Sequence, residues 1–182
     1  MKLPYKGAYK SHISQGYTTT HQAVDFAPYN SYGKWLCAPE NVKITNIIDS
    51  LELSESLEPL KRGYGIAMQS IAYPTRYHIY WHCLPIFPVS VGDTIMAGGI
   101  VAQMGNSGEC YRQGVLVPLE ERTKTKAGTH LHWEYFDQGA DNSRTYINFF
   151  NNIDWNAQPT CSILEQIGAI TKIVKQMLAI KK

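Results

Sequence analysis

Several features that mark well-known classes of protein are scarce or missing in this sequence. The 182 residues include four cysteines, none in a Cys-x-x-Cys pair, so neither a zinc ribbon nor a thioredoxin-type redox site is indicated. No run approaches the roughly 18 consecutive apolar residues of a membrane span, and the first residues lack the apolar core of a signal peptide. We therefore expect a chain without a membrane span or a general export signal.

The chain also has few charged residues and little net charge. With 17 Lys and Arg against 15 Asp and Glu, the formal net charge is +2, and charged residues make up 18% of the chain. Such a balance lacks the electrostatic footprint that binding to a phosphate backbone requires, so nucleic acid is not an expected partner. The chain has instead 44% apolar and 12% aromatic residues, enough for one core and typical of β-rich proteins and binding grooves.

Short β-rich runs separated by turn sequences extend from about residue 35 to residue 144. The runs are Val42–Ile48, Gly65–Gln69, Tyr77–Trp81, Ile100–Gln103 and His130–Tyr135, and the turns between them are rich in Gly, Pro, Asn and Asp. This pattern predicts a mainly β fold with an antiparallel sheet. Two polar segments, 49–62 and 109–128, interrupt the pattern and are expected to form surface loops or lids.

The sequence changes character after residue 160. Ile163, Ile167, Ile170, Val174 and Met177 recur at alternating four- and three-residue spacings, which predicts an amphipathic helix with a heptad-like seam. Such a helix can dock on its own domain, or it can mediate self-association or attachment to an assembly partner, and these alternatives stay open. We therefore predict a domain over residues 1–160 and a C-terminal amphipathic helix over 161–182.

The histidines are few, but their positions indicate chemistry. His21 stands four residues before Asp25, His82 ends a β-rich run, and His130 and His132 are two residues apart. Residues two apart in a strand face the same side, so His130 and His132 would project into one space. A catalytic zinc site usually has three protein ligands from His, Asp, Glu or Cys. His21, Asp25 and one histidine of the later pair would supply such a set.

A thiol nucleophile is a weaker alternative. Cys83 directly follows His82, but neighbouring residues in a strand point to opposite faces and cannot pair. We expect Cys37, Cys83, Cys110 and Cys161 to be buried or free thiols rather than disulfides.

The histidines lie in motifs that resemble those of the M23 family of zinc metallopeptidases, the lysostaphin and LytM type. The motifs, in the family's order, are His21-Gln22-Ala23-Val24-Asp25, Tyr80-Trp81-His82, Met104-Gly105-Asn106-Ser107-Gly108 and His130-Leu131-His132-Trp133-Glu134. Several short signatures in one order are more specific than any single match. The likeness covers about residues 16–136 and implies the family's antiparallel β-sheet core with a groove, of the duplicated-hybrid-motif type.

The resemblance also implies a role for each residue of the site. His21, Asp25 and His132 would hold one zinc ion, His130 would be the general base or orient the attacking water, and His82 would stabilise the transition state. The implied activity is hydrolysis of peptide bonds in bacterial peptidoglycan, in the stem peptide or the cross-bridge. The alternative is a catalytically idle module of the same fold that serves in a phage or cell-wall assembly.

The chain departs from the family pattern at a few places. Ala23 stands where the family usually has glycine, and an alanine would be strained there if the position required a positive φ. The segment 109–128 is longer than the family's usual connection and would wall the groove. Without an export signal or a wall-binding module, access to peptidoglycan would need another route, and a phage particle or release by lysis is our leading expectation.

Overall fold

β-strands dominate the regular structure in the computed structural model of this chain, which describes residues 1–49, 61–159, 167, 168, 170–172, 174 and 178. The strands are β1 (Ile13–Gln15), β2 (Val24–Phe26), β3 (Trp35–Cys37), β4 (Val42–Ile48), β5 (Tyr64–Ser70), β6 (Arg76–Cys83), β7 (Thr94–Ile95), β8 (Ile100–Gln103), β9 (Tyr111–Arg112), β10 (Val115–Leu116), β11 (Leu131–Gln138) and β12 (Arg144–Tyr146). Helix α1 (Leu119–Thr125) lies between β10 and β11, and 3-10 turns lie at Lys10–His12 and Phe150–Asn152. Among these strands every pairing is antiparallel, which confirms the predicted fold class.

The main sheet is organised around β11. Its strand order is β1-β2-β11-β6-β5-β4-β7, and β12 is added beside β11. Strand β11 pairs with β6 along one edge, and along the other edge it pairs first with β2 and then with β12. Strands β3 and β8 form a separate ribbon, and so do β9 and β10. A side chain on β11 therefore has neighbours from strands that are distant in sequence.

The hydrophobic core joins the main sheet to the β3–β8 ribbon. Phe26, Tyr80 and Trp133 of the sheet and Leu36 and Val101 of the ribbon belong to one buried cluster. Because side chains alternate along a strand, the residues of β11 between these core positions project from the opposite face of the sheet. That opposite face is where His132 of β11 lies.

Strand β6 changes its alternation at His82. Tyr80 lies in the core, and Trp81 lies on the opposite face in a small cluster with Phe136. His82 has a φ of 59°, an uncommon value for a residue with a side chain, and Cys83 is again in the core. Two successive side chains, those of Trp81 and His82, therefore point away from the core. Bulges of this kind re-aim a side chain next to functional sites.

The glycine opposite this bulge is required by close packing. Tyr64 pairs with Cys83 and Ile66 pairs with Tyr80, so Gly65 alone opposes two residues of β6, Trp81 and His82. A Cβ on Gly65 would lie 2.5 Å from a ring carbon of Trp81, well inside van der Waals contact. Glycine thus allows the strand to pass over the indole at the point where His82 is turned.

The segment 109–128 differs from the predicted loop because it has secondary structure of its own. It contains the β9–β10 hairpin and helix α1. The hairpin turn uses two left-handed residues, Gln113 at φ 52° and Gly114 at φ 78°, which is the geometry of a tight two-residue turn. Of the other predicted insertion, 49–62, residues 50–60 lie outside the described part of the chain.

The predicted C-terminal helix also falls largely outside the described residues. Those that are described, at 167, 168, 170–172, 174 and 178, are helical. Lys172 Nζ lies 3.0 Å from Asp93 Oδ2, a contact between this segment and the β domain. The proposed boundary near residue 160 stays a prediction. Within the described residues, no helix is both long enough and apolar enough to cross a bilayer.

Candidate metal centre

Three potential metal ligands meet where β2 and β11 pair. Asp25 of β2 lies directly opposite His132 of β11 in the strand register. His21 precedes β2 in a loop that is fixed by a hydrogen bond of 2.9 Å from its backbone N–H to the hydroxyl of Thr18. The predicted convergence of His21 with Asp25 therefore occurs through a loop and the start of a strand, not across a helical turn.

The side-chain atoms of these residues are close together. His21 Nε2 lies 3.3 Å from Asp25 Oδ2, and His132 Nδ1 lies 2.9 Å from Asp25 Oδ1. One potential ligand atom from each of the three residues lies within 4.8 Å of the other two. All three side chains are at least partly buried. The group can therefore hold a single small cation.

Two further observations indicate that the donor set suits a metal ion. Asp25 Oδ1 is buried and has no hydrogen-bond partner, since its short contact with His132 Nδ1 lacks hydrogen-bond geometry. His21 donates from Nδ1 to the carbonyl oxygen of Gly16 at 3.1 Å, which leaves Nε2 with a free lone pair facing Asp25. An orphaned carboxylate oxygen and imidazole lone pairs aimed at one space are what a zinc ion with three protein ligands requires.

His82 and His130 lie beside this group and form a second pair. Their ring centroids are 4.4 Å apart, and the ring of His82 is 5.8 Å from that of His132. Each has its Nδ1 next to a backbone carbonyl oxygen: His82 at 2.7 Å from Ser107 and His130 at 2.8 Å from Gly128. A carbonyl oxygen can only accept, so both histidines carry the proton on Nδ1 and leave Nε2 unprotonated.

The electrostatic environment shifts the pKa values of the two pairs of histidines in opposite directions. Burial and the neighbouring histidines lower the pKa of His82 well below its usual value, and burial lowers the pKa of His130. For His21 and His132 burial acts in the same direction, but Asp25, joined by Glu134 at His132, outweighs it and raises both pKa values, that of His132 to about 9. Asp25 is buried, yet its contacts with His132 and His21 hold its pKa well below the usual range. Asp25 is therefore a carboxylate, and His82 and His130 are neutral imidazoles.

The site opens into a cleft of about 650 Å³. Its lining includes His21, Asp25, His82 and His130, together with residues of β1 on one side and of the β9–β10 hairpin on the other. The segment 109–128 thus walls the groove, as its length predicted. An extended peptide laid in this cleft would pass over the metal ligands and the two neutral histidines.

The structure brings all five residues singled out in the sequence into this one site: His21, Asp25, His82, His130 and His132. Ala23 is fully buried and is not among the residues with positive φ, so the strain expected at an alanine there is absent. Cys37, Cys83 and Cys110 are buried thiols outside any disulfide, as predicted, and Cys161 lies outside the described residues. Complete burial raises the pKa of the Cys83 thiol far above neutrality, which excludes it as a nucleophile.

Sequence reasoning missed several residues that support the site. Ser107 holds His82 through its backbone carbonyl, and the thiol of Cys110 lies 3.8 Å from His82 Nδ1. Glu134 lies 3.5 Å from His132 Nε2 and contacts the guanidinium of Arg62. Ser107 and Glu134 stand within the quoted motifs, but nothing in the spacing of the sequence assigns them these partners. Cys110 lies outside the quoted motifs, so nothing in the sequence marks it as a neighbour of His82.

Comparison with known proteins supports the fold through structure and not through sequence. No family model matches the chain, and no curated protein matches it by sequence. The structure of LytU matches with a TM-score of 0.55 and 22% identity over 79% of this chain and 84% of that one. Lysostaphin from Staphylococcus simulans, an antimicrobial peptidase, matches with a TM-score of 0.54 and 20% identity over 84% of this chain and 55% of that one.

A zinc-containing peptidase from Vibrio cholerae also matches, with a TM-score of 0.51 and 17% identity over 79% of this chain and 38% of that one. The chain thus spans most of LytU but about half or less of the other two proteins. At these identities the similarity establishes architecture. The chain has the fold of the M23 peptidases, which is the fold that its motifs predicted.

Proposed function

We propose that this chain is a zinc-dependent endopeptidase that hydrolyses peptide bonds in bacterial peptidoglycan, in the stem peptide or the cross-bridge. One observation carries the proposal: two members of a three-residue candidate metal-ligand set, His21 and Asp25, line the same open cleft as two neutral histidines. The peptidases among its structural neighbours support the reaction class. The choice of peptidoglycan as substrate rests on the resemblance of the motifs.

In this proposal His21, Asp25 and His132 hold the zinc ion. A zinc ion with three protein ligands supplies Lewis-acid chemistry, since it polarises a peptide carbonyl and lowers the pKa of water to near neutrality. The chain contributes the Asp25 carboxylate, which stays ionised, and the imidazole of His21, whose Nδ1 is held by the carbonyl oxygen of Gly16. Zinc binding would displace the protons that Asp25 favours on His21 and His132 in the metal-free site.

His82 and His130 would handle protons and developing charge. Both present an unprotonated Nε2 on the side of the cleft, because their Nδ1 protons are committed to backbone carbonyls. His130 lies nearer the carboxylate, with Nε2 4.0 Å from Asp25 Oδ2, and is placed to accept a proton from the attacking water. His82 would then stabilise the transition state once its Nε2 has taken up a proton from solvent in the open cleft.

Two measurements test this function. Elemental analysis of the purified protein is expected to give about one zinc per chain, the stoichiometry of a mononuclear site, and His132→Ala is expected to lose it. Digestion of purified sacculi is expected to release new amino termini, and His130→Ala is expected to retain zinc but release none. Mass spectrometry of the products identifies the bond. Zinc retention without new termini from the wild type would reject the enzyme and favour the idle module.

The C-terminal segment is proposed to mediate self-association. Four of its described apolar residues, Ile167, Ile170, Val174 and Leu178, are about half exposed or more and share one helical face. Light scattering is expected to give a multiple of the chain mass for the full chain and a smaller particle after deletion of 162–182. A monomer in both cases would reject self-association. Delivery by a phage particle stays a prediction.

A further inference from the structure

Glu134 is a buried carboxylate directly behind a candidate metal ligand. It follows His132 by two residues on β11, so the two side chains lie on the same face of the sheet. The residue is 2% exposed, and burial of a charge requires partners. Glu134 Oε1 contacts the guanidinium of Arg62 and lies 3.5 Å from His132 Nε2, whereas Oε2 has no hydrogen-bond partner and lies 3.9 Å from Arg144.

The two ring nitrogens of His132 therefore face different groups. Nδ1 faces Asp25 and belongs to the proposed ligand set, and Nε2 faces Glu134. A carboxylate engaged by an arginine accepts protons in hydrogen bonds and offers none. When the metal occupies Nδ1, the proton of His132 is on Nε2, where the Glu134 carboxylate is placed to accept it. Carboxylates in this relation to a ligating histidine fix its tautomer and ring orientation.

Arg62 is placed by parts of the chain that contain no metal ligand. Its guanidinium lies over the ring of Trp81, 5.5 Å from the centroid. The preceding residue, Lys61, accepts a hydrogen bond of 2.6 Å at its carbonyl from the N–H of Glu109. A side chain at Gly108, where φ is +72°, would collide with the backbone of Arg62, so the two segments are in close contact there. The end of the 49–62 segment and the start of the 109–128 segment thus meet beside Glu134, behind the candidate ligand His132.

We propose that Glu134, held by Arg62, is a positioning residue that accepts the Nε2 proton of His132 and so holds the imidazole ring with Nδ1 toward the metal site. The inference rests on the metal site of the proposed function and adds two residues to it. It also gives a role to the junction of the 49–62 and 109–128 segments, the second of which is longer than the family's usual connection. Neither Glu134 nor Arg62 would touch the substrate.

The first experiment measures zinc affinity by competition with a chromophoric chelator. Glu134→Gln is expected to weaken binding about 10- to 100-fold, the range found when such partners of ligating histidines are removed. Arg62→Met is expected to weaken it in the same direction but less. Arg144→Met is the matched control, because Arg144 makes no hydrogen bond to Glu134, and its affinity is expected to stay within about twofold of the wild type. An unchanged affinity in Glu134→Gln would overturn the proposal.

The second experiment observes the Nε2 proton directly, by nitrogen-15 NMR of His132 in the zinc-free protein at neutral pH. The wild type is expected to show an Nε2 proton that exchanges slowly with solvent, because the Glu134 carboxylate is placed to accept it, and Glu134→Gln is expected to lose that protection. This readout separates the inference from the proposed function, since it holds even if the wild type binds no zinc. If Glu134→Gln fails to fold, Arg62→Met and the wild-type exchange rate decide. Rapid exchange of the Nε2 proton in the wild type would overturn the inference.

Discussion

His82 and Ser107 are joined by a hydrogen bond of 2.7 Å from the imidazole Nδ1 to the serine carbonyl oxygen. The hydroxyl of the same serine accepts from the N–H of Tyr64 at 2.9 Å and donates to the carbonyl of Cys83 at 2.7 Å. Ser107 therefore spans the β5–β6 bulge that turns His82 toward the cleft. Its backbone fixes the tautomer of the imidazole, and its side chain fixes the strands beside it.

The first prediction concerns this serine. Ser107→Ala removes both side-chain hydrogen bonds and leaves the N–H of Tyr64 and the carbonyl of Cys83 without their partner. We expect a loss of about 1–3 kcal/mol in the free energy of unfolding, measured by urea denaturation, and a lower kcat. Ser107→Thr keeps the hydroxyl and is expected to stay close to the wild type. Equal losses in both variants would show that the hydroxyl is not the cause.

The second prediction concerns the metal. Zinc that binds only the folded chain stabilises it by about 2.7 kcal/mol when the free concentration is 100 times the dissociation constant. For a chain of this size, that corresponds to a rise in Tm of about 5–10 °C, measured by calorimetry before and after addition of a chelator. His132→Ala is the control and is expected to show no dependence on zinc. A rise of the same size in that variant would place the metal elsewhere.

The third prediction concerns His78, a buried histidine remote from the cleft lining. Its Nε2 lies 2.7 Å from Glu40 Oε1, and its Nδ1 accepts from the indole N–H of Trp133 at 3.1 Å. The ring stacks on Tyr135 with centroids 4.4 Å apart. His78→Phe retains the stacking but leaves the buried indole N–H of Trp133 and the partly buried carboxylate of Glu40 without this partner. We expect it to lower the free energy of unfolding at neutral pH by about 1–3 kcal/mol.

The same residue predicts a dependence of stability on pH. Burial lowers the pKa of His78 below its usual 6.5, although the hydrogen bond and charge of Glu40 oppose this. The unfolded chain therefore takes up a proton below about pH 6.5 that the folded chain does not, so stability is present above that pH and falls as the pH drops. Urea titrations of metal-free protein between about pH 7.5 and 5.5 are expected to show a shallower slope in His78→Phe. Parallel slopes would contradict this assignment.

The fourth prediction concerns the wall of the cleft. The guanidinium of Arg122 on α1 donates to the carbonyl oxygens of Asn106, at 2.8 Å, and of Gly108. Arg122→Met is expected to loosen the 109–128 segment, with faster proteolysis there and a rise in KM larger than the fall in kcat. Lys124→Met is the matched control, since within the described part of the chain that lysine pairs only with the exposed Glu120 on the same helix. Equal proteolysis of the two variants would show that Arg122 does not anchor the wall.

The sequence allowed the long strands and the five site residues to be predicted, because both depend on local patterns. Strand β4 has the predicted bounds Val42–Ile48, and β11 begins one residue after the predicted His130. Alternation of apolar and polar residues can be recognised over seven or eight residues. Strands β1 and β2 have three residues each, which is too few to show a period. Helix α1 lies in the segment 109–128, which the sequence pattern predicts to be a loop or lid. Pro118 before the helix and two glutamates in its first turn are nevertheless typical of a helix start.

The supporting contacts could not have been predicted in the same way. The partner of His82 is a backbone carbonyl, which has no residue identity to recognise. Arg62 and Glu134 are 72 positions apart, and their contact depends on the packing of the segments that carry them. The bulge at His82 arises from how β5 and β6 register, which a single strand's composition does not encode. Sequence patterns indicate which side chains can do chemistry, and tertiary packing decides what orients them.

The central place of β11 has a consequence for how the chain acquires its activity. His132 meets Asp25 through the β2–β11 register and lies beside His82 through the β6–β11 register, so strands from both halves of the chain must be in place together. A slip of one residue in either pairing would send His132 to the wrong face. Contacts between such distant segments form late, because a long loop must close first. Zinc would therefore bind during refolding only after β11 has paired with β2 and β6 in the correct register, and its binding would stabilise that register over shifted ones.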